Sequence, residues 1–266
     1  MQGMTPRIVR LLAASVEGAD FRHCVLQIAQ PLAVDAEVQP GQFFMLAVPG
    51  QGEAAFTYLS RPDADGRFEA LIRRVGSLTA AVFASEPGAI FGYRGPCGQG
   101  WPLLYGHCDV LLVAGGCGLA PLASLIGETL ASRPEVQLRL LYASRDAAHQ
   151  ILTAQRQAWS TRMPVHCSLD AAGEHPRTHL RRLCRERRPD TLLCCGPEAF
   201  MLAMAETGVE EGVPAEQIWL SAERRMHCGV GLCGHCHVGD TLACTDGPSY
   251  RYDRYRALLQ GNGCLL

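Results

Sequence analysis

The sequence contains no lysine; all 24 of its basic residues are arginine. This reads as genome composition, and no mechanism is drawn from it. Excess charge of one sign is also lacking. The 24 basic residues face 26 acidic ones, for a net charge of -2 and a pI near 6.5. Such a chain offers no field that would draw in nucleic acid. The amino-terminal residues show no basic stretch followed by an apolar segment, so no signal peptide and a cytoplasmic location are expected. Uninterrupted hydrophobic runs are missing as well. The longest, Val110 to Gly127, has the length of a membrane span, but Gly115, Gly116, Gly118 and Pro121 break it. A buried strand, a glycine turn and a helix start account for it, and no span is expected. There is no internal repeat and no low-complexity tract.

Cysteine, by contrast, is abundant. A chain of 266 residues that is 48% hydrophobic has room for two compact domains and a small appendage. Thirteen cysteines in a small secreted protein would form disulfides. In a chain of this size without secretion signals they point instead to a reducing interior and a metal centre.

Residues 1–102 read as β-rich. Phe21–Ala29, Phe43–Val48, Phe68–Val75 and Ala89–Tyr93 are short apolar or alternating runs, punctuated by Pro31, Pro40-Gly41, Pro49-Gly50, Asp63–Gly66 and Pro87-Gly88. That spacing predicts a small antiparallel barrel, with a brief helix over Leu78–Ala84. Over residues 103–217, strands are expected at Asp109–Ala114, Val136–Ala143, Val165–Leu169 and Thr191–Cys195. They alternate with helices at Pro121–Ala131, Ala147–Trp159, His179–Arg187 and Glu198–Glu211. Such alternation predicts a parallel, doubly wound α/β sheet. From Ile218 the apolar periodicity stops. Residues 218–266 then form a small lobe that cannot bury a core of its own and that a metal centre would stabilise.

Cys228, Cys233, Cys236 and Cys244 follow the spacing C-x4-C-x2-C, then seven residues, then Cys. Plant-type ferredoxins open their cluster loop with the same C-x4-C-x2-C, and four thiolates there hold a [2Fe–2S] cluster. Gly229, Gly231 and Gly234 let the backbone wrap closely and turn amide N–H groups toward sulfur. Structural zinc also takes four cysteines, usually as two separated C-x2-C pairs. A Rieske centre takes two histidines, and His227, His235 and His237 are nearby. Chance clustering of core cysteines is the third alternative. Cys24, Cys97, Cys108, Cys117, Cys167, Cys184, Cys194 and Cys264 read as core or incidental thiols.

Two turns have the form of a nucleotide site. The strand ending at Ala114 runs into Gly115-Gly116-Cys117-Gly118-Leu119-Ala120-Pro121, where glycines admit a pyrophosphate and a helix start supplies N–H donors. The strand ending at Cys195 runs into Gly196-Pro197. Both lie at carboxyl ends of parallel strands, where such sheets bind ligands, and a dinucleotide would bridge them. An ordinary tight strand-to-helix turn is the alternative for the first.

Taken together, these motifs resemble the ferredoxin–NADP reductase superfamily over nearly the whole chain. They are most similar to iron–sulfur flavoprotein subunits: the hydrogenase gamma subunit, the B subunit of anaerobic sulfite reductase and, more distantly, the dihydroorotate dehydrogenase electron-transfer subunit. Gly95-Pro96-Cys97-Gly98 resembles the family's barrel-closing Gly-Pro-x-Gly, and Cys195-Gly196-Pro197 its turn beside the nicotinamide. Ser221 to Cys228, Cys233-Gly-His-Cys236 and Cys244-Thr-Asp-Gly-Pro248 resemble its cluster lobe. The seven-residue gap before Cys244 is closer to the hydrogenase and sulfite reductase types. The resemblance implies a flavin-binding barrel, a nicotinamide domain and a [2Fe–2S] lobe. It implies electron transfer between NAD(P)H, FAD and the cluster, to or from a catalytic partner subunit, with no protein acid or base required.

The flavin motif departs from the family. Where it has Arg-x-Tyr/Phe-Ser, this chain has Ala54-Ala55-Phe56-Thr57, followed by Tyr58. Phe56 then stacks on the flavin, Thr57 replaces serine, and the arginine is lost. Ile72-Arg73-Arg74-Val75-Gly76-Ser77-Leu78-Thr79 resembles the second flavin segment, with Arg73 and the helix start after Gly76 as phosphate partners. Ser168-Leu169-Asp170 stands where NADPH-dependent relatives carry Ser-Arg, which favours NADH; Ser144-Arg145 is the other candidate phosphate site. The lost arginine leaves a second reading open, a redox sensor that uses the cluster alone. A zinc-stabilised assembly subunit is the third.

Overall fold

The computed structural model describes residues 5–106, 108–173 and 175–261. Cys264 lies outside them.

The amino-terminal half is a six-stranded antiparallel sheet. Its strands are β1 (Arg7–Glu17), β2 (Phe21–Ile28), β3 (Phe43–Val48), β4 (Gly52–Thr57), β5 (Arg67–Arg73) and β6 (Ile90–Cys97), with α1 (Ser77–Ala84) between the last two. They lie in the order β4-β3-β6-β1-β2-β5. The Leu59 N–H donates to the Glu69 carbonyl at 2.8 Å, so the chain leaving β4 reaches β5 and the two edges curl toward each other. The interior is aromatic. The Phe44 ring lies 4.9 Å from Tyr58 and 5.1 Å from Phe68. The Tyr58 and Tyr93 hydroxyls bond at 2.6 Å, and Tyr93 donates to Asp35, which pairs with Arg7. The buried phenols are thus satisfied.

Two strands here escaped the sequence pattern. β1 buries only Val9 and Leu11 fully, and its other residues are exposed or half-buried. β4 is exposed at Gly52 and half-buried over the rest, so neither strand shows a sustained buried face.

The second half contains β7 (Cys108–Gly115), α2 (Ala120–Ser132), β8 (Val136–Ser144), α3 (Thr153–Ser160), β9 (Val165–Leu169), α4 (Pro176–Glu186), β10 (Thr191–Cys195) and α5 (Glu198–Glu210). β11 (Ile218–Ser221), β12 (His237–Val238), β13 (Thr241–Leu242), β14 (Ser249–Arg251) and α6 (Tyr252–Gly261) follow. The sheet order is β14-β11-β10-β7-β8-β9, parallel except for β14. The strand order reverses at β7, beside β10. The expected helix over Ala147–Trp159 is two pieces. Asp146 caps a short turn at Ala147–His149, and Leu152 takes φ 52° before α3 begins. α4 starts at Pro176, ahead of the expected His179, because proline suits a first helical position. The parallel sheet also continues past residue 217. Ile218–Ser221 pairs with Leu192–Cys195, and Ser249–Arg251 closes antiparallel onto it. Both strands are too short for a periodicity to show. Among the described residues, no helix is long and apolar enough to cross a membrane.

Candidate functional site

The two glycine-bearing turns meet. β7 ends at Gly115, a tight turn covers Gly116–Leu119, and α2 begins at Ala120 with Pro121 in its first turn. A Cβ on Gly118 would lie 2.2 Å from the Cys195 carbonyl oxygen, so only glycine lets the first turn press against the second. Gly116 has open space on the side where its Cβ would stand. Gly115 and Gly196 both pack on the Phe200 ring of α5, whose first turn follows Pro197. The reversal in strand order thus brings two glycine turns together at the carboxyl ends of β7 and β10, the place where α/β sheets receive dinucleotides.

Thiol and charged side chains from several elements lie near these turns. Burial pushes the Cys195 thiol up, and Cys117 and Glu223 push it further; its hydrogen points to the Ser221 carbonyl. Cys117 is also raised, by burial and then by Glu223, against the opposing field of Arg73. Arg73 is exposed at the end of β5 and stacks over Phe21 at 5.8 Å. Arg73 of the candidate flavin segment is therefore near enough to the glycine turn for its charge to act on Cys117. Glu223, just before the cysteine motif, is near enough for its charge to act on both thiols.

The flavin candidates divide by exposure. Phe56 is half-buried on β4, its ring 6.1 Å from Phe44, and Thr57 donates to the Gln42 carbonyl at 3.2 Å. α1 packs against β3 and β4, which brings Gly76 to the same end of the barrel as Phe56. Gly76 has open space around it, while the Thr79 hydroxyl accepts from the Val75 and Gly76 N–H groups and caps its own helix. Tyr58, Ile72 and Leu78 are core residues of the barrel. Their side chains fill the barrel interior, so any contact they make with a bound group runs through backbone. A phosphate arriving here would meet Arg73 and the start of α1, with Ala54 contributing no charge.

The four lobe cysteines come as two pairs. Cys228 lies beside Cys233, and Cys236 beside Cys244, near enough for each thiol to act on its neighbour's ionisation. Amide groups converge on them. Leu232 and Cys233 N–H donate to Cys228 Sγ at 3.3 and 3.4 Å, and Gly231 N–H, at φ 77°, donates to Cys244 Sγ at 3.2 Å. Burial opposes ionisation of Cys228, but the amides outweigh it and hold the thiol below its usual range. Cys233 is lowered by the His235 amide and by Cys228. Cys244, deeper in the lobe, is pushed up to about 12, by burial first and then by the neighbouring Cys236 thiol. Amide donors on sulfur and two thiols per pair fit a thiolate-bound cluster. The rings of His227 and His235 stack on each other at 4.3 Å. Among the described residues, no three histidine, cysteine or acidic side chains gather closely enough to hold a single metal ion. Cys97, read as incidental, lies beside the cluster loop: a Cβ on Gly229 would stand 3.5 Å from its sulfur.

Comparison with known proteins agrees with this layout. Residues 223–255 match the family model for the iron–sulfur cluster binding domain of dihydroorotate dehydrogenase B. The chain is 35% identical to the probable dihydroorotate dehydrogenase B (NAD(+)) electron transfer subunit of Methanothermobacter thermautotrophicus, over 80% of this chain and 78% of the relative. It is 29% identical to the sulfhydrogenase 1 subunit gamma of Pyrococcus furiosus, over 80% of this chain and 79% of the relative. Among solved structures, that of the NADH-dependent reduced ferredoxin-NADP oxidoreductase superposes with a TM-score of 0.76 at 22% identity, over 97% of this chain and 94% of that one. Phthalate dioxygenase reductase gives 0.67 at 18% identity, over 80% and 66%. The fold is that of the ferredoxin–NADP reductases, and the chain belongs to the family of iron–sulfur electron transfer subunits that includes those of dihydroorotate dehydrogenase B and the sulfhydrogenase gamma subunits.

Proposed function

We propose that this protein is the electron-transfer subunit of a larger oxidoreductase, moving electrons between NAD(P)H, FAD and a [2Fe–2S] cluster to or from a catalytic partner subunit. The observation that carries the reading is one continuous apolar core. Met45 and Cys97 of the barrel, Val113 and Cys194 of the sheet, and Cys236 and Cys244 of the lobe all belong to it. This core packs the lobe against both the barrel and the sheet and so fixes its place relative to each, as a relay requires.

Bound nicotinamide, FAD and cluster supply hydride transfer, the splitting of an electron pair and one-electron storage. The chain's part is placement. Phe56 and Thr57, with Arg73 and the helix start after Gly76, hold the flavin, and the backbone at Tyr58, Ile72, Leu78 and Thr79 lines it. Gly115, Gly116, Gly118, Ala120 and Pro121 carry the pyrophosphate, and Cys195, Gly196 and Pro197 border the nicotinamide. Cys228 with Cys233, and Cys236 with Cys244, provide two thiolates per iron, which favours a binuclear centre over a single zinc ion. NADH is the preferred donor. Arg145 and Asp170 stand exposed at adjoining strand ends, tied by the bond from Ala171 N–H to the Arg145 carbonyl, so a carboxylate faces any 2′-phosphate there. Residues 1–102, 103–217 and 218–266 correspond to the flavin, nucleotide and cluster units, with β11 shared between the last two. Cysteines free of disulfides throughout the described residues suit a reducing compartment, which favours the cytoplasm as the location.

The partner is of hydrogenase or sulfite reductase type, the reading that the seven-residue gap before Cys244 favours. A dihydroorotate dehydrogenase partner is the alternative, and the 35% identity to such a subunit favours it. The absence of an arginine at Ala54 favours one further alternative, a cluster-based sensor. Anaerobic purification followed by visible and electron paramagnetic spectra, before and after NADH or NADPH, tests the proposal. Flavin together with a reducible binuclear signal supports it. Iron without flavin supports the sensor, and zinc alone overturns it. Co-purification from the native source identifies the partner.

A further inference from the structure

A buried ion pair connects the barrel to the cluster loop. Arg94 lies on β6 opposite Met45 and is 6% exposed. Its Nε and Nη2 grip both carboxylate oxygens of Glu53, at 2.9 and 2.5 Å. Its Nη1 donates to the carbonyl of Cys228 at 2.8 Å. One planar fork thus ties β4, β6 and the first cysteine of the loop, a task for which guanidinium is suited and ammonium is not. The next residue, Gly229, rests on the same strands. Its missing Cβ would stand 3.0 Å from Met45 Cγ and 3.5 Å from Cys97 Sγ.

We propose that Arg94 is a positioning residue that clamps the cluster loop to the flavin-side barrel, and that Arg94 and Glu53 together set the charge felt by the cluster. This rests on the iron–sulfur reading above. Reduction adds one negative charge to a cluster, so a nearby cation favours the reduced form and a nearby anion the oxidised form. As a pair the two charges nearly cancel. Neutralising Glu53 removes an anion from beside the loop and neutralising Arg94 removes a cation, and at these buried and half-buried positions water screens the change only in part. The two single substitutions therefore act in opposite directions, a pattern that loosening of the loop alone does not produce.

The test uses the full chain as wild type, Arg94→Gln, Arg94→Lys and Glu53→Gln. Redox titration followed by electron paramagnetic resonance reads the cluster midpoint, and iron content is measured alongside. Arg94→Gln is expected to lower the midpoint by at least a tenfold change in the one-electron equilibrium, ~59 mV. Glu53→Gln is expected to raise it, and Arg94→Lys to stay near wild type while loosening the loop. Midpoints that coincide, or that shift in the same direction, overturn the charge role. In iron-free protein, amide exchange at residues 228–233 should speed at least tenfold in Arg94→Gln, with Leu111–Ala114 unchanged; equal rates overturn the clamp. If wild type holds no iron, the iron–sulfur reading fails while the exchange measurement still decides the clamp. If Arg94→Gln does not fold, the direction of the Glu53→Gln shift decides the charge role and Arg94→Lys decides the clamp.

Discussion

From Asp109 to Gly115 every residue of β7 is buried, whereas the segment from Ala222 to Pro248 contains no helix and only two strands, of two residues each. The two regions adjoin and are held by different forces. The sheet places its turns by burying apolar side chains on both faces, at about 25 cal/mol per Å² removed from water. The lobe places its thiols by amide-to-sulfur hydrogen bonds and by resting on Met45 and Cys97 of the barrel. A site set in a packed sheet is rigid before any ligand arrives. A site built from glycine turns depends on its metal.

Several experiments put that difference under strain. The largest effect is expected from Cys233→Ser, which should abolish the cluster signal while flavin stays bound; loss of both would show that the lobe is no separate module. Chelation of iron from the loaded chain comes next. It should raise amide exchange across residues 226–246 by orders of magnitude and leave β7 and β10 protected, and equal loosening of both regions would break the comparison. Phe44→Ala removes the ring at the centre of the barrel and should cost about 3–5 kcal/mol in urea unfolding, with the iron content of the folded protein retained. Gly118→Val forces the pyrophosphate turn off Cys195. It should weaken NADH binding at least tenfold by titration calorimetry, cost roughly 1–3 kcal/mol of stability and leave the cluster potential in place.

The smallest effect concerns pH. Glu69 raises the His23 imidazole on the barrel wall, against burial, and His23 lowers the Glu69 carboxyl. The histidine's contribution is complete below its ordinary 6.5 and is lost as pH rises through the raised folded value. The carboxylate's contribution is complete above its ordinary 4.5 and is lost as pH falls through the lowered one. The stability gap between wild type and His23→Gln should therefore be widest from pH 4.5 to 6.5 and close in alkali. With Glu69 43% exposed, it should stay under about 1 kcal/mol.

The sequence made the periodic and the punctuated parts legible. The apolar runs at Val110–Ala114 and Leu138–Ala143 mark strands, and the spacing of Cys228, Cys233, Cys236 and Cys244 marks the thiol group. What stayed hidden was long-range. Nothing local to Arg94, Glu53 and Cys228 links them, because their contact spans 134 residues. β11 and β14 are too short to show a period, yet they hold the lobe to the sheet. Glu223 reads as one charge within a polar stretch until the fold sets it beside Cys117 and Cys195.

The pairing of Ser221 with Ser249 has a consequence for how this architecture can change. The chain leaves the sheet for the lobe at one of these residues and returns at the other, and paired strands lie less than 5 Å apart. Everything between is a cassette whose two ends are already joined by sheet hydrogen bonds. Exchanging it for a short hairpin leaves chain order and strand order intact, and lengthening it adds only the slowly growing closure entropy of a longer loop. In such a layout chain connectivity is no obstacle to exchanging the acceptor end of a reductase, and what an exchange must replace is the cover that the lobe gives Met45 and Cys97.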